Sequence, residues 1–352
     1  MIESICQLPS RTIGIDLGDR ESHYCAVDDT GKMVVEGKVL NERPELERLF
    51  RGHPSRIILE ASGQSHWISQ LLRAMGHEVV VANPRRLRLI SHSTSKTDRN
   101  DARLLARIGR LDVDLLGPVH QRGERCFSAL VLLRARRQLV RIRTKLINLV
   151  RSETKVLGSR IPSCAACRFY RTARTHLPAE LRLALEPILD ELECVEAKIQ
   201  KYDQSIKQLC KEQFPETGVL LQVHGVGVQV ALAYAATIED PRRFAQSRSV
   251  GAYLGLTPRS HQSGSNDPRL RISKHGDTDL RSLLVTASAC ILRSNAPNCD
   301  LKRYGKKISR GGTPRDRGRA RIAVARKLAV LLHRLWLTGE VYNPNQSALA
   351  AS

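Results

Sequence analysis

An α/β domain at the N-terminus, followed by a mainly helical remainder, is the fold class that this 352-residue sequence predicts. Short runs of alternating apolar and polar residues, separated by Gly and Asp, fill the first 119 residues and are typical of strands. Farther along the chain, apolar residues recur every three to four positions, as they do in helices. Hydrophobic residues make up 41% of the chain, which is enough to build the cores of two or three folded domains.

Three strands are predicted first, over residues 11–17, 22–28 and 33–40, with turns between them as in a meander. The elements that follow are an amphipathic stretch, a fourth strand, a helix and a fifth strand, over residues 43–53, 56–62, 66–76 and 77–84. This is the element order of the ribonuclease-H-like fold, in which the first and fourth strands lie side by side. We therefore expect Asp16, within the first strand, to face Glu60, in the fourth, near the centre of the sheet.

A helix predicted over residues 96–110 adds two more acids. Asp98 and Asp101 are three residues apart near its start, so they project from one face. Carboxylates are the ligands that Mg²⁺ prefers, and four of them suit two ions, which can activate the attacking oxygen and stabilise the leaving one in phosphodiester cleavage. Each acid also has a structural interpretation, as a turn cap, a partner of Arg or a helix N-cap.

Positive charge lies in separate blocks of the sequence. The formal net charge is +22, and residues 1–119 are nearly neutral, with 17 basic and 16 acidic side chains. Residues 120–174 carry 14 basic against 2 acidic side chains, and residues 301–336 carry 12 against 1. Because each phosphate contact needs a local cation, these blocks predict nucleic-acid-binding surfaces joined to a catalytic domain. The alternative is that they are solvated helix faces.

Membrane-spanning and secreted classes are excluded by the sequence pattern. No stretch approaches the roughly 18 uninterrupted apolar residues of a membrane span, and the first residues lack the layout of a signal peptide. We expect a cytoplasmic protein. Nine cysteines are scattered without framework spacing, and the close pair Cys164 and Cys167 has no second pair, so reduced thiols are favoured over disulfides or zinc.

Two long helical patterns occupy the middle of the chain. Residues 130–153 predict a basic amphipathic helix that suits the backbone of a structured RNA, with membrane-surface binding as the competing interpretation. Its arginines off the apolar stripe are Arg134, Arg136, Arg137, Arg141 and Arg143. Farther on, a heptad seam with spacings of 4 and 3 predicts a coiled coil, formed either within the chain or between chains. The seam residues are Ile188, Leu192, Val195, Ile199, Tyr202, Ile206 and Leu209.

The C-terminal part contains two candidate phosphate-binding segments. Gly225 and Gly227 lie between two helical patterns, which predicts either a helix-hairpin-helix, whose backbone amides approach a phosphate, or an ordinary tight turn. The small-residue loop 262–268 is bracketed by cations that could stabilise the charge developing as a serine attacks a phosphate; a flexible surface turn is the alternative. These cations are Arg259, Arg269, Arg271, Lys274 and Arg281. A last basic helix leaves Arg319, Arg321 and Arg326 toward solvent or DNA.

Several of these motifs together resemble a known family over nearly the whole chain. GIDLG around Asp16, LEASG around Glu60 and KTDRNDARLLA around Asp98 and Asp101 resemble the four acidic motifs of the RuvC-like domain of the DEDD-type insertion-sequence transposases, which are RNA-guided recombinases. GLTPRSHQSGS and RISKHG resemble the motif of that family's transposase domain. The family's nucleophilic serine corresponds to Ser263, with Ser265 and Ser273 as nearby alternatives.

The resemblance implies a bacterial, nucleoid-associated enzyme that cuts and rejoins DNA with Mg²⁺, held by the four acids, and with a serine nucleophile. Its implied partners are donor DNA, target DNA, a structured guide RNA and further copies of the chain, as a dimer or tetramer. The predicted parts are a RuvC-like catalytic domain, a basic helix with a coiled coil, a mainly α transposase domain and a tail, over residues 1–119, 120–217, 218–340 and 341–352. The alternatives are a Holliday-junction-type metal-dependent nuclease and a noncatalytic RNA- or DNA-binding protein.

Overall fold

The computed structural model describes residues 11–86, 97–259 and 270–345. The chain divides into two compact units between Arg122 and Gly123. The domain boundaries predicted from sequence at residues 119, 217 and 340 stay predictions. No helix in the described part of the chain is long and apolar enough to cross a membrane.

A five-stranded sheet forms the centre of the N-terminal unit. Its strands are β1 (Thr12–Leu17), β2 (Glu21–Val27), β3 (Met33–Leu40), β4 (Arg56–Glu60) and β5 (Glu78–Ala82). Their order in the sheet is β3-β2-β1-β4-β5. The pairs β1–β2 and β2–β3 are antiparallel, whereas β4 runs parallel to β1 and β5 parallel to β4. The predicted mixed α/β N-terminal fold is confirmed, with the first and fourth strands as neighbours.

Helices cover both faces of the sheet because side chains alternate along each strand. Ile13 of β1 packs on one face with α1 (Arg43–Phe50) and α2 (Ser65–Ala74). On the other face, Ile58 of β4 packs with Leu105 and Ile108 of α3 (Asp98–Leu111). Each fully buried Ile or Leu of this kind contributes roughly 1.5 to 3 kcal/mol to folding. The two faces thus bury separate apolar clusters.

The C-terminal unit is helical throughout its described elements. Its helices are α4 (Glu124–Val156), α5 (Phe169–His176), α6 (Ala179–Gln213), α7 (Thr217–Leu220), α8 (Val228–Ile238), α9 (Ser247–Tyr253), α10 (Thr278–Ile291), α11 (Asp300–Ile308) and α12 (Pro314–Thr338). The predicted helical remainder is therefore confirmed. Tyr234 of α8 is fully buried in its core, where the hydroxyl donates to the Ala329 carbonyl of α12 at 2.6 Å.

The heptad residues of α6 are buried against α4 within the same chain. Ile206 packs with Cys126 and Ala129 of α4, and Leu192 packs in a second cluster with Ile147. The two helices run antiparallel, since residues later in α4 contact residues earlier in α6. This is the hairpin that the heptad spacing allowed. A coiled coil between chains stays a prediction.

Candidate functional site

Asp16 and Glu60 occupy equivalent places on neighbouring strands. The parallel register of β1 and β4 pairs Thr12 with Arg56 and continues to Ile15 with Leu59. Asp16 and Glu60 are the next residue on each strand, and both side chains are half-buried. The structure therefore brings these two predicted acids side by side at the centre of the sheet.

Both acids project from the face that α3 covers. Gly14, two residues before Asp16, lies so close to α3 that a Cβ built there would be 2.2 Å from the Ala102 carbonyl oxygen. Ile58, two residues before Glu60, packs into the same helix. Because residues two apart on a strand share a face, Asp16 and Glu60 point to the side of the sheet on which α3 lies.

The first turn of α3 carries the other two predicted acids. Thr97 is the N-cap of this helix, and its hydroxyl accepts a hydrogen bond from the Asn100 amide at 3.3 Å. Thr97 thus does the capping that was one structural interpretation of Asp98. Asp98 and Asp101 lie in the first turn, where the helix dipole stabilises negative charge. Asp98 is exposed and Asp101 half-buried.

His23 connects the first turn of α3 to β2, and sequence reasoning missed it. It is paired with Asp16 in the antiparallel register of β1 and β2, and therefore shares its face of the sheet. Its Nδ1 lies 3.8 Å from Asp98 Oδ2, and its side chain is 20% exposed. The strand pattern placed Asp16 but could not reveal His23, because its position depends on the register of the neighbouring strand.

Ion pairs hold the first turns of α3 against β3, the edge strand of the sheet. Glu36 of β3 accepts two hydrogen bonds from Arg103, at 2.7 and 2.8 Å, and also pairs with Arg99. Only 13% of the Glu36 side chain is exposed. The fork of Arg103 fixes geometry as well as charge, so the turn that carries Asp98 and Asp101 is held against the sheet.

The four acids have the ligand chemistry that a hard divalent cation needs, since all four offer carboxylate oxygens on one side of the sheet. Among the described residues, however, no three His, Cys, Asp or Glu side chains lie close enough together to hold a metal ion. The backbone thus places Asp16, Glu60, Asp98 and Asp101 on one side, while their side chains are not drawn into a compact cluster.

The basic residues of α4 fall into two groups. Arg136 donates to both carboxylate oxygens of Asp203 at 2.7 and 3.0 Å, Arg143 donates to Glu196 at 2.6 Å, and Arg137 pairs with Asp279. The two other arginines predicted to bind nucleic acid, Arg134 and Arg141, have exposed side chains. Ion pairs with acids of α6 and α10 thus account for three of the five charges.

Gly225 and Gly227 have different local roles. Gly225 has a φ of +86°, and a Cβ built there would lie 2.9 Å from the Ala287 carbonyl oxygen of α10. This glycine is therefore required for close packing between the turn and α10. Nothing lies within 4 Å of a Cβ built at Gly227, which precedes α8. The helix before the turn, α7, has four residues. The helix-hairpin-helix and the ordinary tight turn both stay open as interpretations of this segment.

Two paired arms, residues 255–259 and 271–274, precede and follow the predicted serine loop in sequence. The Arg259 amide donates to the Arg271 carbonyl at 3.0 Å, and the Ser273 amide donates to the Thr257 carbonyl at 2.8 Å. Pro258 and Ile272 form an antiparallel bridge between them, although the sequence showed no strand pattern here. The predicted residues Ser263, Ser265 and Arg269 lie outside the described residues.

Arg281 has an internal role that the sequence did not reveal. Its side chain is buried, and one of its nitrogens donates to the carbonyls of Leu254, at 3.0 Å, and His275, at 2.9 Å. The chain is tight here, since a Cβ at Gly276 would lie 2.0 Å from the Tyr253 carbonyl oxygen. Arg281 therefore ties the residue before the first arm to the residue after the second, and this placement gives no support to its predicted contact with nucleic acid.

The other described cations of this region line a common groove. Arg259, Arg271 and Lys274 from the arms meet Arg319 of α12 around a groove of about 1760 Å³. Arg321, also predicted to bind nucleic acid, is exposed on α12 but does not line the groove. The positive charges predicted around the serine loop are thus joined by charges from a helix that follows it by some fifty residues.

Known protein families match both units of the chain. A family described as a transposase, DEDD_Tnp_IS110, matches residues 13–156. A second, described as the transposase IS116/IS110/IS902 family, matches residues 218–304. Together these matches cover more than half of the chain.

Similar proteins agree with these matches. A probable family 20 transposase of Pseudomonas aeruginosa is 29% identical over 298 residues, 82% of this chain and 86% of that protein. The transposase for insertion sequence element IS1111A of Coxiella burnetii is 27% identical over 343 residues, 94% of this chain and 91% of that protein. A pilin gene-inverting protein of Moraxella bovis is 26% identical over 286 residues, 78% of each chain.

Proposed function

Because this chain belongs to the IS110-type transposase family, and is thus an enzyme that cleaves DNA, we propose that it cuts and rejoins donor and target DNA through two groups of residues. The first group is the set of four acids, Asp16, Glu60, Asp98 and Asp101. The second is the hydroxyl of Ser263. The observation that carries the proposal is the placement of Asp16 beside Glu60 on the face covered by α3.

The carboxylates would hold Mg²⁺, in agreement with their donor chemistry. Bound there, Mg²⁺ would supply positive charge to the phosphate undergoing cleavage. Asp16 and Glu60 would provide ligands from a rigid sheet, and Asp101 from a helix that packs directly on β1. His23 would orient Asp98, since the two side chains are 3.8 Å apart.

Ser263 would act as the nucleophile in strand transfer. Its Oγ attacks the phosphorus as its proton leaves, the bond from phosphorus to a deoxyribose oxygen breaks, and that oxygen takes up a proton. The hydroxyl of another strand then attacks the phosphoserine, forms the new phosphodiester and releases the serine. One phosphate ester is exchanged for another at each step, so no external source of energy is needed.

A structured guide RNA and further copies of the chain complete the proposal. The exposed Arg134 and Arg141 of α4 would contact the RNA backbone, because RNA helices are recognised largely by shape and phosphate. The acids and Ser263 are about 160 residues apart in sequence. We propose that the active form is a dimer or tetramer. Full strand transfer by a protein that stays monomeric in the reaction would contradict this part of the proposal.

The test is a reaction of purified full-length protein with donor DNA, target DNA, Mg²⁺ and RNA transcribed from the native flanks. Products are resolved on a denaturing gel with and without proteinase. Wild type is expected to give protein-linked DNA, Ser263→Ala none, and Asp16→Asn no cleavage. Asp29→Asn, which removes an exposed acid on the β2–β3 turn, is the matched control and should react like wild type.

Two outcomes would overturn the proposal. Free-ended cleavage by both wild type and Ser263→Ala would indicate a metal-dependent junction nuclease that uses water. Unimpaired function in Asp16→Asn would indicate a noncatalytic binding protein in which the acids only stabilise the sheet.

A further inference from the structure

The groove of the C-terminal unit is built from segments that are far apart in sequence. Arg248 of α9, the two arms around Pro258 and Ile272, Tyr304 of α11 and the outer face of α12 all contribute to its lining. Its volume of about 1760 Å³ is larger than the 300 to 1,000 Å³ usual for a small-molecule site. Its size therefore fits a segment of a polymer.

Its charge is strongly positive. Nine basic and two acidic side chains line the groove. The basic residues are Arg248, Arg259, Arg271, Lys274, Arg315, Arg319, Arg326, Lys327 and Arg334. Both acids are engaged at helix starts, Asp300 with Arg303 and Asp316 with Thr313. Like charges collected around one depression repel one another unless a polyanion neutralises them.

Most of these cations are not neutralised by a nearby carboxylate. Within the described parts of the chain, Arg319 pairs with Asp316 at 3.8 Å and Arg334 with Glu340 at 3.0 Å, while the other seven groove cations form no salt bridge with a carboxylate. This contrasts with α4, where three of five arginines bind acids of the same unit. The groove thus presents cations that intramolecular pairing has not used.

Apolar and aromatic groups form the surface between the cations. Leu256 and Leu301 are buried, and Ile272, Ile322 and Val330 are half-buried. The ring of Tyr304 is also half-buried, and Lys327 Nζ lies 3.9 Å from its centroid. A duplex presents phosphates on its outside and keeps its base faces stacked, so it would leave this apolar surface uncovered. An unpaired strand offers both phosphates and base faces.

We propose that this groove binds an unpaired stretch of the DNA strand, with its phosphates at the cations and its bases on Tyr304 and the neighbouring apolar side chains. The proposal rests on the proposed function, which supplies DNA as substrate. Arg259 and Arg271 pair at the end of the two arms and both line the groove, so a strand held there would contact both. The groove would hold the strand unpaired while its base pairs are exchanged.

The test measures binding of full-length protein to a labelled single-stranded DNA, a duplex and a single-stranded RNA of the same sequence, over a range of salt. Arg326→Gln combined with Lys327→Gln removes two groove charges. Arg317→Gln combined with Lys307→Gln removes the same charge from exposed residues outside the groove. Tyr304→Leu keeps an apolar side chain but removes the aromatic face, and thermal unfolding verifies that each variant is folded.

For single-stranded DNA, the groove pair is expected to reduce the slope of log affinity against log salt by about 1.4, because each lost phosphate contact contributes about 0.7. Tyr304→Leu should weaken single-strand binding about fivefold or more through lost stacking and leave duplex binding unchanged. The control pair should bind single-stranded DNA with the wild-type slope.

The proposal would be overturned if the groove pair and the control pair lost the same affinity for single-stranded DNA. It would also be overturned if a folded Tyr304→Leu bound single-stranded DNA with wild-type affinity. A loss confined to RNA would assign the groove to RNA instead of DNA. The test is separate from catalysis because it is run without cleavage. Groove-dependent binding in a protein that never forms a serine linkage would retain this inference and reject the proposed nucleophile.

Discussion

Gly14 is the position at which the fold and the acidic site are most tightly connected, and Gly14→Ala tests that connection. A Cβ at this position would lie 2.2 Å from the Ala102 carbonyl oxygen, 2.4 Å from the Ala106 amide nitrogen and 2.9 Å from Leu105 Cβ. The first two are backbone atoms of α3 and cannot rotate away. Ordinary contact begins near 3.4 Å, so the helix itself has to move.

The expected losses of stability and of cleavage activity follow from the size of that movement. Overpacking of a core contact costs about 1 to 3 kcal/mol, and the lower entropy of the unfolded alanine variant offsets about 0.4 to 1 kcal/mol of it. A displacement of roughly 1 Å at a catalytic group lowers activity about a hundredfold. Asp98 and Asp101 lie on the displaced helix, so DNA cleavage should fall much more than the loss of stability alone would explain.

Two measurements check this prediction, the free energy of unfolding in urea and the rate of strand cleavage below the temperature at which the variant unfolds. Gly63→Ala is the control, because Gly63 lies three residues beyond Glu60 and a Cβ there has no atom within 4 Å. Its stability should change by less than about 0.5 kcal/mol. Wild-type cleavage and wild-type stability in Gly14→Ala would refute the placement of α3 over β1.

Three further predictions concern buried polar groups. Burial lowers the pKa of His77 below its ordinary 6.5, and its Nδ1 accepts the Ser55 amide at 3.2 Å. The unfolded chain therefore takes up a proton at higher pH than the folded chain. The free energy of unfolding should be constant above pH 6.5 and fall below it, and this fall should be smaller in His77→Gln. Urea midpoints measured across this pH range check the prediction. In Arg281→Lys the free energy of unfolding in urea should fall by about 2 kcal/mol or more, because a lysine cannot make every hydrogen bond of the buried guanidinium. An unchanged free energy of unfolding would contradict this structural role of Arg281. Tyr234→Phe should lose about 1 kcal/mol with the bond to Ala329, and a stabilised variant would contradict that bond's contribution.

The strand order and the side-by-side placement of Asp16 and Glu60 could be predicted because local patterns identified the elements, and the sequence of elements is that of a known fold. Alternation identified the strands, and their order along the chain limited the topology to one familiar arrangement. The i, i+3 spacing of Asp98 and Asp101 likewise needed nothing beyond the geometry of a helix.

Contacts between distant segments could not be predicted in the same way. Arg136 and Arg143 are off the apolar stripe of α4, yet both bind acids of α6, because the hairpin places an acidic helix beside a basic one. Arg281 belongs to a run of cations in sequence but lies inside the fold. The groove depends on the meeting of α9, α11 and α12 with the arms, which no local pattern encodes.

The most direct test of the central claim identifies the residue that becomes linked to DNA. Reaction products of the wild type, trapped before strand transfer is complete, are digested with proteinase and nuclease and analysed by mass spectrometry. We predict a nucleotide-linked peptide in which the modified residue is Ser263. Modification of Ser265 or Ser273 instead, or cleaved DNA with no linked peptide, would contradict the proposal.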